Sequence, residues 1–224
     1  MMKQILFLLL LCPLILVAQP NADPKMTYVD SLGFTQEVTE YDGSAPFNAT
    51  FTSNVSDADD YTVLYEWRFI RSGEAAPFLI RYDADTEFSF TQSGTFFIEL
   101  RVSFVQGNDT IEYEQETPFS VNIRESMLEF PNVITPNNDG ANDVLRAKSG
   151  WQSIVKFKAQ VFSRSGRLIY EWDNPAGGWD GRSGGRVVPD GAYYLRVDAL
   201  GADGRRFNIR KTINVLSGYR EGNQ

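Results

Sequence analysis

Residues 61–69 read YTVLYEWRF, and every odd position of this segment is aromatic or aliphatic. Successive side chains of a β-strand point to opposite faces of its sheet, so one face of this segment is apolar and suited to burial. A second segment, Phe96 to Phe104, repeats the period with Ile98, Leu100 and Val102 on the same side. Two such segments predict long strands that each bury one face against another layer.

Shorter strands surround these two, and helical periodicity is nearly absent from the chain. Clusters of Gly, Asn, Asp and Ser separate the apolar segments, as expected for turns. Lys211 interrupts the inward face of the last segment, so we expect either a bulge or a different register there. The pattern predicts an all-β chain with two tandem β-sandwich domains. The further strands are predicted at 47–53, 77–82, 87–91, 111–115, 118–124, 157–161, 167–172, 193–199 and 205–216.

The start of the chain predicts a secretory signal peptide over residues 1–19. Lys3 supplies a positive charge, an apolar run extends from Ile5 to Val17, and Ala18-Gln19 precedes a polar stretch. The run is shorter than the roughly 20 residues that a membrane-spanning helix needs, and no later segment approaches that length. We therefore expect an exported chain without an integral membrane span. Cys12 leaves a lipid anchor open, although Leu11 rather than a small residue precedes it.

The absence of some residue types excludes several catalytic mechanisms and metal sites. Histidine is absent and Cys12 is the only cysteine, so the exported chain would contain no disulfide. Histidine-based triads, imidazole zinc sites and histidine general bases are therefore excluded. The composition predicts a protein that is not an enzyme and needs no catalytic residue. Paired carboxylates, a Ser-Lys pair and tyrosine chemistry remain as catalytic options. A glycan hydrolase with two carboxylates is the enzyme alternative, and nothing in the pattern selects such a pair.

Charge divides the chain into two regions. Residues 20–126 contain 19 Asp and Glu against 6 Lys and Arg, a net charge of −13. Residues 127–224 contain 10 against 14, a net charge of +4, and Lys3 completes the total of −8. The difference supports two separate modules. We place the first domain over residues 20–126 and the second over 127–217, where the last predicted strand ends, and residues 218–224 form a polar tail. The acidic first domain argues against a nucleic-acid partner.

The first domain resembles the PKD-type immunoglobulin-like family. The similar segments are residues 45–51, APFNATF, residues 65–69, YEWRF, and residues 88–96, FSFTQSGTF. The resemblance implies an immunoglobulin-like sandwich in which Trp67 packs in the core. It also implies a module that spaces or presents other groups, here a small surface-exposed cargo.

The second domain carries a longer series of motifs. They are PNVITPNNDGAND at residues 131–143, VFSRSG at 161–166, WDG at 179–181 and VPDGAYY at 188–194. In this order they resemble the gliding motility-associated C-terminal domain of Bacteroidota, the type B sorting domain of type IX secretion. The resemblance implies an immunoglobulin-like fold, export to the cell surface, outer membrane or medium, and docking on a PorP/SprF-like outer-membrane barrel or another translocon component. The residues expected to carry fold and docking are Asn137, Asp139, Gly140, Asp143, Gly166, Trp179, Asp180, Gly181, Asp190, Gly191 and Tyr193.

Three smaller sites have alternative interpretations. Asn137, Asp139 and Asp143 could hold calcium, or their side chains could cap the backbone of their own loop. Trp179 could stack on a sugar, or it could pack beneath the glycine-rich loop as in the family. Ser31 and Thr110 follow aspartate and precede an aliphatic residue, the O-glycosylation sequence of exported Bacteroidota proteins.

Two functional hypotheses follow from the sequence. In the first, the second domain is a type IX sorting and docking module and the first domain is its cargo. In the second, the chain is a resident accessory subunit of an outer-membrane complex and both sandwiches act as spacer and binding modules.

Overall fold

The computed structural model describes residues 19–218, so residues 1–18 of the proposed signal peptide, with Cys12, and residues 219–224 lie outside the described residues. The described chain is built from β-strands, which confirms the all-β prediction. Residues 19–218 contain no helix with the length and hydropathy to cross a membrane. The two regions separated by charge, residues 20–126 and 127–217, are called the N-terminal and C-terminal modules below.

Two sheets face each other in the N-terminal module. One has the strand order β3-β2-β5-β9, and the other has the order β4-β12-β10-β7-β8 with β11 paired to β10. The strands are β1 (Asn21–Ala22), β2 (Lys25–Val29), β3 (Thr35–Val38), β4 (Glu40–Gly43), β5 (Phe47–Thr52), β6 (Val55–Ser56), β7 (Thr62–Arg71), β8 (Leu79–Arg81), β9 (Asp85–Phe90), β10 (Gly94–Gln106), β11 (Asp109–Glu114) and β12 (Phe119–Ile123).

Aromatic rings from both sheets fill the space between them. Trp67 and Phe69 on β7 are fully buried, and Phe51 on β5 meets Phe69 edge to face with 5.5 Å between ring centroids. The opposite face of the larger sheet carries a ladder of charges, in which Arg68 Nη1 lies 2.6 Å from Glu99 Oε1. The alternation in residues 61–69 therefore sorts apolar side chains inward and charged ones outward, as the sequence predicts.

A single five-stranded sheet organises the C-terminal module, in the order β13-β21-β20-β15-β16. Short two-stranded ribbons, β14 with β17 and β18 with β19, and long loops form the second layer over it. The strands are β13 (Val133–Ile134), β14 (Leu145–Arg146), β15 (Ile154–Phe162), β16 (Leu168–Trp172), β17 (Gly178–Trp179), β18 (Arg182–Ser183), β19 (Arg186–Val187), β20 (Gly191–Gly201) and β21 (Arg206–Val215).

The bulge that the sequence led us to expect at Lys211 is not present in the structure. The pairing of β20 with β21 runs without a shift from Gly191 opposite Val215 to Leu200 opposite Arg206, so no bulge occurs at Lys211. The residue does lie on the inward side, opposite the buried Leu195. Its Nζ donates a hydrogen bond to the carbonyl of Phe130 at 2.5 Å. The long side chain thus places its charge on a backbone acceptor at the sheet edge, and the strand does not have to distort.

A hydrogen-bonded junction joins the modules. Ser153, fully buried, donates its hydroxyl to the carbonyl of Arg124 at 2.6 Å and accepts the N–H of Ala45 at 3.2 Å. Ser126 donates its hydroxyl to Asp203 at 2.7 Å. Ala202, in the turn between β20 and β21, is buried within the apolar core of the N-terminal module. The connection between the modules is therefore held by contacts on both sides.

Candidate docking site

Strand register gathers the motif residues at one end of the C-terminal sheet. Gly191 begins β20 opposite Val215 at the end of β21, and Phe162 ends β15 opposite Tyr194. The junction with the N-terminal module lies at the other end of β20, beside Gly201. Eleven residues of antiparallel strand extend over roughly 34 Å at about 3.4 Å per residue. We call the motif-bearing end the distal end.

Trp179 is the centre of the distal end. Its side chain is fully buried, and its indole Nε1 donates to the carbonyl of Arg182 at 2.8 Å. Asp180 fixes the same turn, because its Oδ1 accepts the backbone N–H of Arg182 at 3.0 Å. The buried ring offers no face to a sugar, so this placement supports a packing role for Trp179.

Gly181 brings two motif loops into direct contact. Its φ of +72° lies in the left-handed region, and a Cβ at this position would stand 2.8 Å from Cγ of Pro136. Any other residue would therefore strain the backbone and collide with the loop that begins at Thr135. The glycine explains how the 135–143 loop can pack on the WDG segment, although Pro136 and Gly181 are far apart in the sequence.

The 135–143 loop satisfies much of its own backbone with side-chain oxygens. Asp143 accepts the N–H groups of Asn138 at 2.7 Å and Gly140 at 2.8 Å. Asp139 accepts the N–H of Ala141 at 2.9 Å and the side-chain amide of Asn137 at 2.8 Å. This network supports the interpretation that the side chains cap their own loop, while calcium binding stays a prediction.

Asp190 fastens the end of the last strand to the distal end. Its Oδ1 accepts the backbone N–H of Ser217 at 2.8 Å and the Ser217 hydroxyl at 2.6 Å. These hydrogen bonds from Ser217 hold the pKa of the Asp190 carboxyl below its usual range. Gly191 follows with a φ of +141°, which turns the chain into β20.

Tyr193 joins the turn to the buried tryptophan. Its ring lies 5.5 Å from that of Trp179 between centroids, and its hydroxyl donates to the carbonyl of Pro189 at 2.9 Å. Burial raises the pKa of the Tyr193 hydroxyl, so the phenol stays protonated and able to donate. The contact fixes the Pro189-Asp190-Gly191 turn against the core.

Gly166 lies at the tip of the hairpin formed by β15 and β16. The N–H of Gly166 donates to the carbonyl of Ser163 at 3.0 Å, and its φ of +80° is one that glycine adopts without strain. Because β15 ends beside Tyr194, this tip also belongs to the distal end. The structure therefore brings all eleven residues expected to carry fold and docking to one end of one module.

The two expected O-glycosylation acceptors lie in the N-terminal module. Ser31 is exposed at the tip of the β2–β3 hairpin, where Asp30 Oδ1 accepts the N–H groups of Leu32 and Phe34, each at 2.9 Å. Thr110 is exposed near the start of β11, opposite Val105. Both residues are exposed, and their glycosylation stays a prediction.

A large cleft lies away from the distal end. It has a volume of about 1390 Å³ and opens between the modules, with Tyr28, Tyr41, Trp151 and Asn174 among its lining residues. None of the eleven motif residues lines it. In residues 19–218 no three Asp, Glu, His or Cys side chains lie close enough together to hold a metal ion.

Sequence reasoning missed the partners of several motif residues. Ser217 and the carbonyl of Arg182 complete the distal end, yet both lie outside the quoted motifs. Leu145 pairs with Trp179 between β14 and β17. An aspartate-glycine turn in front of a strand predicts that the aspartate carboxylate accepts a hydrogen bond from a nearby group. It does not predict that this group is Ser217.

Comparison with known family models gives a match in the C-terminal module. Residues 128–212 match the family model of the CHU_C Type IX secretion signal domain. The match covers less than half of the chain and supports the resemblance of this module to a type IX secretion signal domain, whereas the PKD-like character of the N-terminal module stays a prediction. Among curated proteins, none matches the chain.

Solved structures share only a general likeness with the chain. The FN1–FN3 domains of chicken CNTN1 are 8% identical with a TM-score of 0.33, and the match covers 85% of this chain and 74% of that one. Dimeric latent PorU from Porphyromonas gingivalis is 14% identical with a TM-score of 0.26, over 88% of this chain and 20% of that one. At these TM-scores neither protein informs the function of this chain.

Proposed function

We propose that the chain is a non-enzymatic, exported cell-envelope protein of a Bacteroidota species, whose C-terminal module is a sorting and docking module for type IX secretion. The acidic, PKD-like N-terminal module is its surface-exposed cargo. The observation that carries the proposal is the gathering of all eleven motif residues at the distal end, roughly 34 Å along β20 from the junction with the cargo. A partner can reach this end without touching the cargo.

The distal end suits recognition because its loops are already ordered. Trp179, Asp190 and Tyr193 each hold a loop by a hydrogen bond to backbone or to Ser217. A preformed surface loses little conformational entropy on binding. We propose a PorP/SprF-like outer-membrane barrel or another translocon component as the partner.

Transfer of export to a reporter tests the sorting function. A reporter that carries residues 1–19 at its start and residues 127–224 at its end is expressed in a bacterium with a type IX system. We expect the reporter outside the outer membrane, and we expect it in the periplasm when residues 129–217 are deleted. Equal export of both versions, or retention of a stable full fusion in the periplasm, would contradict the proposal.

A resident accessory subunit is the second candidate, and the junction favours it. Ser153, Ser126 and Ala202 connect the modules through buried contacts, which suits a rigid spacer. This candidate predicts that the tagged protein co-purifies stably with an outer-membrane barrel and keeps residues 129–224. Mass spectrometry of the purified material would also show glycans on Ser31 and Thr110, which we propose as acceptors.

A further inference from the structure

The outer face of the C-terminal sheet is exposed and basic. Outward residues of β15, β20 and β21 alternate with buried ones such as Val161, Val197 and Ile213. Five exposed cationic side chains lie on this side. We call them the basic sheet face: Lys156, Lys158, Arg196, Arg206 and Arg210.

Acidic neighbours neutralise only part of this charge. Arg196 Nε lies 2.9 Å from Asp198 Oδ2, and Lys158 Nζ lies 3.2 Å from Glu171 Oε2. Lys156, Arg206 and Arg210 form no ion pair with any residue of the described range 19–218. The face therefore keeps an excess of three positive charges in a protein whose total charge is −8.

Two arginines of the face are placed directly opposite each other. Arg196 on β20 is the register partner of Arg210 on β21. Cβ atoms of such pairs are about 5 Å apart, and like charges at this spacing destabilise the sheet. Asp198 already pairs with Arg196 through Nε, whereas Arg210 has no acidic partner in residues 19–218. A bound carboxylate between the two guanidinium groups would pair with Arg210 and reduce the remaining repulsion, because guanidinium N–H groups donate charge-assisted hydrogen bonds to carboxylates.

An aromatic residue borders the arginine pair. Tyr194 is 47% exposed, and Phe162 lies opposite it on β15. Together with Thr212 and the two arginines, they line a shallow depression of about 390 Å³. The exposed part of Tyr194 can pack on a sugar ring whose carboxylate reaches Arg196 and Arg210.

We propose that the basic sheet face binds an acidic polysaccharide with uronic-acid units. The face is flat and includes Lys156 and Lys158, whereas protein–protein interfaces have an apolar, tightly packed centre in which lysine is depleted. A linear polyanion needs only a row of cations with a ring-stacking residue, which this face offers. The acidic N-terminal module repels such a polymer and directs it to the C-terminal module.

Affinity electrophoresis of the purified protein in gels containing alginate, a polyuronate, tests the inference. We expect retardation at about 0.02 M salt that disappears by about 0.3 M, since salt screens exposed charges. Neutral dextran should cause no retardation. Alginate affinity should fall at least about tenfold in the variant Arg196→Glu with Arg210→Glu, because both guanidinium groups that donate to the alginate carboxylate are lost.

A matched control separates this face from general charge. The variant Arg164→Glu with Arg186→Glu changes the net charge equally, and these exposed residues lie at the hairpin tip and on β19, outside the sheet face. We expect its alginate affinity to stay within about threefold of wild type. Equal loss in both variants, or no alginate binding at low salt, would overturn the inference.

A third variant tests whether Tyr194 contacts the sugar rings of the polymer. Tyr194→Ala should lower alginate affinity by a few-fold and leave the weaker binding of poly-glutamate, which has carboxylates but no rings, unchanged. If poly-glutamate binds as tightly as alginate, the face recognises acidic proteins and the proposal is wrong. Unchanged urea midpoints of all variants would exclude unfolding as the cause of lost binding.

Discussion

The two modules bury their cores by different means. In the N-terminal module, aromatic rings from two broad sheets pack against one another between the sheets, and Phe51, Trp67 and Phe69 are all fully buried. In the C-terminal module one sheet is covered by loops, and polar contacts such as Trp179 with the Arg182 carbonyl hold that cover in place. The difference shows why the second module has recognisable loop motifs and the first shows mainly strand alternation.

Removing one tryptophan from each core would have the largest effect and would test this difference. Trp67→Ala and Trp179→Ala should each lower the free energy of unfolding by roughly 3–5 kcal/mol, because each leaves a cavity. Trp179→Phe should keep much of the ring packing and so cost less than Trp179→Ala. The loss of the indole donor to the Arg182 carbonyl should contribute about 1 kcal/mol of its cost. Urea denaturation measures all three variants.

The tryptophan variants should differ in export. In the full-length protein, only Trp179→Ala should prevent delivery outside the outer membrane, because only Trp179 supports the distal end. Normal export of a Trp179→Ala reporter that remains folded at the growth temperature would contradict the role given to that end.

A substitution at the junction tests whether the two modules unfold separately. Ala202→Glu would place a charge in the core of the N-terminal module and should cost roughly 3 kcal/mol. Ala176→Glu, on an exposed loop of the C-terminal module, should change the free energy of unfolding by less than about 0.5 kcal/mol. We expect a single unfolding transition in wild type and two in Ala202→Glu by differential scanning calorimetry. Two transitions in the wild type would show that the junction does not couple the modules.

Much of the N-terminal fold and part of the C-terminal site could be predicted from sequence. Alternation in residues 61–69 fixes which side chains face inward, since a strand has only two faces. The partners of loop residues depend on the three-dimensional path instead. Asp190 reaches Ser217, and no spacing rule connects them. Ala202 is buried in the other module although it lies in a turn, a position that normally faces solvent.

A smaller effect should appear in the pH dependence of stability. Because hydrogen bonds lower the pKa of Asp190 in the folded state, its ionised form stabilises the fold above the unfolded pKa of about 3.9. That contribution is lost as the pH falls below the unfolded pKa and through the lower pKa of the folded state. Thermal midpoints of Asp190→Asn should therefore vary less with pH in this range than those of wild type. A control variant, Asp173→Asn, should follow wild type.

The smallest effect concerns calcium. The oxygens of Asp139 and Asp143 already accept backbone N–H groups, so we expect the 135–143 loop to be ordered without an ion. Chelation by EDTA should leave the thermal midpoint unchanged within about 1 °C, and added calcium should raise it by no more. A calcium-dependent rise that Asp143→Asn abolishes would establish a calcium site instead.

The segment that connects the modules has a consequence for proteolytic maturation. Its backbone groups are engaged on both sides: Arg124 N–H bonds to Gly43, Met127 pairs with Gln152, and the Arg124 carbonyl accepts from Ser153. A processing protease works on exposed, flexible chain, and this segment offers no such stretch while the protein is folded. Cleavage here would require local unfolding of the segment. We therefore expect the N-terminal and C-terminal modules to be exported as one uncleaved chain.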